Sequence, residues 1–276
     1  MIIKEDFLEK YHLTESDIDS ILCPWPVLEE IYNDFESKID EYNKVLLDFT
    51  VLLQGISEHK YIHQRVKNPE HLIEKIIRKK KCGINIDNYK TTITDLLACK
   101  IIYLYKTDWI KIHDWLNGNF EKNYLEKPKA YTTENNAFFF EQRNIECEIR
   151  DSGYQSVHYL VEYKGYPIEI QVRSIYQEAW GEIDHQLRYP YDINNNVLNS
   201  FSKMLSKLTN VSDELAFLIQ THKQILKEEQ KIYITDSQIK QLKNKLLPNQ
   251  YDLLEEVLKS NQEIITIREL LKRIDG

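Results

Sequence analysis

Cysteine is scarce in this chain of 276 residues, and the four it has, Cys23, Cys82, Cys99 and Cys147, are scattered. Their spacing matches neither a metal knuckle nor a disulfide framework, so zinc is not expected and the thiols should be free, as in a reducing compartment. No early apolar run reads as a signal peptide and no later one is long enough to span a bilayer. The expected location is the cytoplasm, with no membrane partner. An excess of positive charge is missing too: 36 Lys and Arg stand against 44 Asp and Glu, a net charge of -8. That balance argues against wholesale coating of nucleic acid. Internal repeats and low-complexity segments are absent as well, so none helps to assign a role to any region. What remains, with 42% hydrophobic residues, is long enough for one core with helical additions or for two small domains.

The acidic balance reverses locally. Between Lys60 and Lys81 the basic residues Arg65, Lys67, Lys75, Arg78, Lys79 and Lys80 are opposed only by Glu70 and Glu74. Such a reversal attracts polyphosphate. The run Arg78 to Lys81 also reads as a solvated helix end, where cations complement the dipole and Gly83 supplies the stop.

Most chemical information lies between Ile168 and Arg188. Apolar and polar residues alternate from Ile168 to Arg173, so a strand there projects Glu169, Gln171 and Arg173 from one face and packs Ile168, Ile170 and Val172 on the other. Helical spacing of Ala179, Trp180, Ile183 and Leu187 follows, placing Glu178, Asp184, His185 and Arg188 near the strand's end. Carboxylate, amide, guanidinium and imidazole together suit a site for phosphate and a metal ion. Upstream, Asp95 stands at the entrance to a buried strand whose β-branched and aromatic residues run from Lys100 to Tyr105. Between the two carboxylates, a turn at Gly153 leads into an alternating strand through Tyr163. Gly153 would let the backbone approach a ligand, and Tyr154 offers an aromatic face on which a nucleobase could stack.

Four stretches resemble, in order and approximate spacing, the synthetase motifs of the RelA/SpoT family. They are Asp95 to Ile102, Gly153 to His158, Glu169 to Arg173 with Trp180 to His185, and the basic Arg65 to Lys79. The resemblance covers roughly residues 60 to 190, and in length the chain is similar to the single-domain small alarmone synthetases and their toxic relatives. It implies an α+β fold, a nucleotidyltransferase-like mixed β-sheet flanked by helices. The implied reaction transfers the β,γ-diphosphate of ATP to the 3′-hydroxyl of GDP or GTP, with Mg²⁺ as cofactor and AMP released.

The same resemblance implies roles. Asp95 and Glu169 are the catalytic and metal-binding carboxylates, Glu169 either sharing the ion or orienting and deprotonating the acceptor hydroxyl. Arg65, Lys67, Lys75, Arg78 and Lys100 bind ATP; Tyr154, His158 and Gln171 bind the acceptor. The pattern departs from the family's usual one at Lys100 and Gln155, each standing for arginine, and at Asp184, standing for glutamate. With basic residues lost near the acceptor pocket, the alternative acceptor is the 3′ end of tRNA, as in the toxic relatives. The family's hydrolase module would need an upstream His-Asp metal motif, which residues 1 to 60 lack. His113-Asp114 lies instead in an amphipathic helical pattern and reads as structure.

Three regions are expected: a helical region over 1–59, a catalytic domain over 60–190 and a helical extension over 191–276. Apolar residues from Leu28 to Ile56 alternate by four and three, predicting one long helix with a coiled-coil-like seam that packs either on its own domain or on a dimer partner. Asn117 to Asn136 reads as a loop beside the site. In the extension, Leu198, Phe201, Leu205, Leu208, Leu215 and Ile219 follow heptad-like spacing, with shorter helices expected around 236–247, 250–260 and 263–273. Such an extension could cover the active site, build a homo-oligomer, or bind an antitoxin protein or RNA.

Overall fold

The computed structural model describes residues 2–150, 152–188, 192 and 195–243. Two compact units divide the chain, Met1–Ala216 and Phe217–Gly276. In the first, four helices precede the sheet: α1 (Lys4–Lys10), α2 (Glu15–Asp19), α3 (Trp25–Ser37) and α4 (Ile39–Leu53). The long N-terminal helix expected from the four-three spacing is therefore two helices, interrupted at Lys38 with φ -104° and ψ 0°. Its apolar seam nevertheless packs as one surface: Leu28, Ile31, Phe35, Leu46, Phe49 and Leu53 are fully buried in the chain's own core.

Then come β1 (Tyr61–Val66), α5 (Pro69–Arg78), α6 (Tyr89–Thr92), β2 (Leu97–Tyr103), α7 (Asp108–Phe120), β3 (Lys129–Thr132), α8 (Glu134–Glu141), β4 (Glu146–Ile149), β5 (Ser156–Tyr163), β6 (Tyr166–Ser174) and α9 (Ile175–Leu187). The stretch Asn117 to Asn136 is thus no loop: it holds the end of α7, the strand β3 and the start of α8. One six-stranded mixed sheet results, ordered β1-β2-β6-β5-β3-β4. β2 and β6 run parallel, whereas β1 pairs antiparallel with β2 and β5 antiparallel with both β6 and β3.

Local chemistry sets the boundaries. Asn68 caps α5, its side chain accepting from the Glu70 and His71 amides at 2.8 and 3.3 Å, and Pro69 supplies the preset φ of the first turn. α5 ends at Arg78, and Lys80 makes the left-handed step at φ 47°, three residues before Gly83. Ser174 and Gln177 form a capping box that starts α9 directly at the end of β6. Positive φ at both Lys164 (51°) and Gly165 (81°) gives the tight turn that joins β5 to β6.

Period-two alternation sorts the sheet into two faces. Leu97, Cys99, Ile101, Ile168, Ile170 and Val172 point to the buried side, which α4 and α7 cover. His113 belongs to that side: it stacks on Trp109, its Nδ1 lies 3.0 Å from the Tyr159 hydroxyl, and it is structural as expected. The opposite face carries the polar row and is partly roofed by α9 and by the beginning of α10 (Asn196–Lys243). Residues 236–243, expected in a separate short helix, continue α10, and the other expected C-terminal helices lie outside the described residues. No helix among the described residues is long and apolar enough to cross a membrane.

Candidate active site

Register alone brings the polar residues together. Arg65 on β1 lies opposite Ala98 on β2, which is paired with Glu169 on β6; Gln171 is paired with Lys100 on one side and His158 on the other. Residues at paired positions share a face, so Arg65, Lys100, Glu169, Gln171, Arg173 and His158 form one polar surface.

At one end of this surface stands Asp95, two residues before β2. Its Oδ2 accepts from both Lys67 Nζ and Lys75 Nζ at 2.8 Å, while its Oδ1 is buried with no hydrogen-bond partner. Burial pushes the Asp95 carboxyl up, but the two ammonium groups outweigh it and hold the pKa down at about 2. Burial pulls the Lys67 ammonium below its usual range, and the nearby charges of Lys75 and Arg65 act in the same sense against the attraction of Asp95. Both shifts follow from one arrangement: a nearly buried Lys67 and Asp95 with two further cations, the partly exposed Lys75 and the exposed Arg65, close by. A polyphosphate arriving there meets uncompensated positive charge.

Glu169 is anchored by two neighbours, its Oε1 lying 3.1 Å from His158 Nδ1 and its Oε2 accepting from Gln171 Nε2 at 2.6 Å. Burial and the charge of Asp95 push its carboxyl up, yet His158 and Gln171 prevail and keep it below the usual carboxylate range. Glu169 and Asp95 are therefore both ionised, and close enough for each to repel the other. Two hard oxygen donors, one with an orphaned lone pair in a buried setting, fit a divalent ion of the Mg²⁺ type, which is completed by water and phosphate rather than by a protein cage. Among the described residues, no group of three or more His, Cys, Asp or Glu forms such a cage.

Tyr154 and Gln171, two of the residues expected on the acceptor side, belong to a tight polar network around Arg173, which is only 6% exposed. Its guanidinium donates to the Tyr154 hydroxyl at 2.7 Å, to Gln171 Oε1 at 2.6 Å, to Ser156 Oγ at 3.2 Å and to Glu178 Oε2 at 3.1 Å. The Tyr154 hydroxyl also lies 2.9 Å from His158 Nε2. Tyr154 is half-buried, with the Arg173 guanidinium carbon 5.0 Å from its ring centre and Tyr131 meeting it edge-on at 5.7 Å. Gly153, at φ +87°, permits close approach by the chain's own α10 rather than by a ligand: a Cβ there would collide with Ser206, whose hydroxyl donates to the Gly153 carbonyl at 3.0 Å.

Of the expected site residues, the structure brings together Asp95 with Lys67 and Lys75, and Glu169 with Tyr154, His158 and Gln171. Arg65 stands exposed on β1 beside the first group. Two others are engaged elsewhere. Lys100 Nζ lies 2.7 Å from both Glu178 and Glu182 on α9, and Arg78 donates to Glu74 and to the Tyr11 carbonyl at 2.8 and 2.6 Å. Asp184 and Arg188 pair with each other and tie α9 to Asn199 and Ser202 of α10. Sequence reasoning did not single out Tyr131, whose ring meets His158 edge-on at 4.7 Å. The only signal for it was the short alternation of Lys129 to Thr132 inside a polar stretch.

Residues 64–194 match the model of the region found in RelA / SpoT proteins. A curated relative, GTP pyrophosphokinase YwaC of Bacillus subtilis (strain 168), is 22% identical over 213 residues, covering 72% of this chain and 90% of its own. Among solved structures, small alarmone synthetase 1 from Bacillus subtilis superposes with a TM-score of 0.57 at 22% identity, over 70% of this chain and 98% of the other. Its form bound to the product pppGpp gives 0.56 at 22% identity, over 68% and 97%. A GTP pyrophosphokinase family protein from Streptococcus pneumoniae gives 0.54 at 20% identity, over 70% and 96%. The fold is that of the small alarmone synthetases.

Proposed function

We propose, from the premise that residues 64–194 of this chain are a RelA/SpoT region, that the protein is an ATP-dependent pyrophosphokinase acting on GDP or GTP. The observation that carries the reading is Asp95: a largely buried carboxylate with one orphaned oxygen, paired with Lys67 and Lys75, with Arg65 near Lys67, one strand from a second ionised carboxylate. The relatives support it, being named for GTP pyrophosphokinase activity and, in one structure, for the product pppGpp.

In this reading Lys67, Lys75 and Arg65 neutralise the triphosphate of ATP, and Asp95 with Glu169 would hold Mg²⁺. The ion, when bound, supplies charge neutralisation across the phosphates. Catalysis by the protein is then largely positioning. Glu169, fixed by His158 and Gln171, orients the acceptor's 3′-hydroxyl and takes its proton as the oxygen attacks the β-phosphorus and AMP leaves. Tyr154, His158 and Gln171 form the acceptor side. Their mutual bonds with Arg173 give Tyr154 a fixed ring, which costs little entropy to present to a guanine base. Lys100 and Arg78 act through their protein contacts, steadying α9 and the N-terminal segment.

The test offers purified protein ATP labelled at the γ-phosphate with GDP, GTP and deacylated tRNA in separate reactions. Label is expected on the guanine nucleotides, with AMP formed in equal amount. Label on tRNA alone would replace the mononucleotide with the 3′ end of tRNA as acceptor, and label on none would remove the enzymatic reading.

A further inference from the structure

Three neighbours of Tyr154 are held by α10, which begins at Asn196, just past the matched residues 64–194. Ser202, Ser206 and Asn210 follow one another at intervals of four and so lie on one face of that helix, within the first unit. Each holds a different neighbour. The Ser202 carbonyl accepts from Trp180 Nε1 at 2.9 Å, and the Trp180 ring centre lies 6.3 Å from that of Tyr154. Ser206 Oγ donates to the Gly153 carbonyl at 3.0 Å. Asn210 Oδ1 accepts from Gln155 Nε2, while Gln155 Oε1 accepts from Asn136 Nδ2 of α8 at 3.3 Å. Gln155 is only 4% exposed, so water does not replace a lost partner. The apolar residues Phe201, Leu208 and Leu215 of α10 point outwards, 55% to 62% exposed, although a surface helix ordinarily turns its apolar stripe to the core. Its contacts with the body therefore fix position more than they bury apolar area.

We propose that Asn210 is a positioning residue for the acceptor: through Gln155 it fixes the direction in which Tyr154 presents its ring. The inference rests on the reading of Tyr154 as part of the acceptor side. Side-chain chemistry supports the assignment. Gln155 stands where the family usually has arginine, and a guanidinium only donates, whereas the amide donates to Asn210 and accepts from Asn136 at the same time. The departure is thus matched by asparagines on α8 and α10, and an inward-turned amide replaces a cation. Arg173 holds the hydroxyl end of Tyr154, while Ser206 and Asn210 hold the residues on either side of it. Held at both ends, the ring has little freedom left to lose on binding a base. Truncating Asn210 strands a buried amide N–H and releases the Gln155 side of that grip. On the ATP side, Lys67 and Lys75 keep their contacts with Asp95.

Steady-state kinetics on the full chain, with ATP and GDP varied in turn, tests the proposal; deacylated tRNA takes the place of GDP if that is what the wild-type protein labels. Asn210→Ala should raise the KM for the acceptor about tenfold and leave the KM for ATP within about twofold. Asn210 is half-exposed and alanine favours a helix, so this variant keeps its fold. Asn210→Asp, which retains an accepting oxygen, should stay within a few-fold of wild type for both substrates. Lys207→Ala, on the exposed side of the same helix, should change neither KM. The pair with Tyr154 is the sharpest readout: if Asn210 acts through that ring, Asn210→Ala should add nothing to the acceptor defect of Tyr154→Ala. A merely structural role would make the two losses additive or raise both KM values together. Either result would overturn the proposal, as would an unchanged acceptor KM in Asn210→Ala. No transfer by the wild-type protein to any of these acceptors would instead remove the enzymatic reading, and this inference with it.

Discussion

Lys67 Nζ and Asp95 Oδ2 lie 2.8 Å apart in a nearly dry setting, their side chains 9% and 14% exposed. The pair is structural, and in the proposed function it also serves ATP and the metal ion. Removing the carboxylate deprives a buried ammonium of its counter-charge, which costs about 3 kcal/mol where the surroundings cannot rehydrate it. Asp95→Asn should therefore abolish transfer and also lower stability by about that amount at neutral pH. The gap has a pH signature. The folded pKa of about 2 lies below the ordinary 3.8, so the carboxylate's contribution is present above pH 3.8 and lost as pH falls towards 2. By linkage that contribution is about 2 kcal/mol. Urea denaturation of both proteins between neutral pH and the acid limit should show the difference narrowing only below about pH 4. A difference that stays constant through that range would mean Asp95 is not ionised in the folded protein.

Asp213 works in the opposite direction. It is 7% exposed, its Oδ1 has no hydrogen-bond partner, and burial raises its pKa from 3.8 to about 6. A carboxyl whose folded pKa is raised costs stability once it must ionise. The penalty begins above pH 3.8, is complete above pH 6 and amounts to about 3 kcal/mol. Asp213→Asn should raise the melting temperature at pH 8 and leave it unchanged at pH 3.5. Equal stability of the two proteins at pH 8 would remove the burial argument.

The candidate site was legible because its chemistry demands particular residue types in a particular order, and strands have an unambiguous period. Alternation placed Glu169, Gln171 and Arg173 on one face, and pairing put them beside His158 and Lys100. Pairing within the site was not legible. Periodicity cannot tell that α9 offers Lys100 two carboxylates, or that Arg78 turns to the Tyr11 carbonyl, because both depend on where distant elements dock. The break at Lys38 was hidden for a related reason: the four-three spacing continues across it, so one buried stripe is served by two helices. β3 is short, and its polar neighbours masked the alternation from Lys129 to Thr132.

Gly153 links the site to α10. Its φ of +87° disfavours any side chain, and the space a Cβ would need is filled by Ser206. Gly153→Ala should cost more than about 1 kcal/mol, the usual penalty for alanine at positive φ. Adding Ser206→Gly removes the collision but not the backbone strain, so it should recover stability in part. Full recovery, or none, in thermal melts of the double variant would show that only one of the two causes acts.

Tyr154 separates stacking from scaffolding. Its hydroxyl accepts from Arg173 and lies 2.9 Å from His158, which itself holds Glu169. Tyr154→Phe keeps the ring and loses these polar contacts, at about 1 kcal/mol of stability for each hydrogen bond left unmade. If the ring stacks on the acceptor base, the phenylalanine variant should keep its acceptor KM within a few-fold. Its kcat should fall because Glu169 loses part of its support. Tyr154→Ala should instead weaken the acceptor by roughly 1–3 kcal/mol, a rise in KM of about fivefold to 150-fold, with the KM for ATP nearly unchanged. Steady-state kinetics with each substrate varied in turn distinguishes the cases. Parallel loss of ATP and acceptor affinity in both variants would mean that Tyr154 acts only by holding Arg173, and that the acceptor base is bound elsewhere.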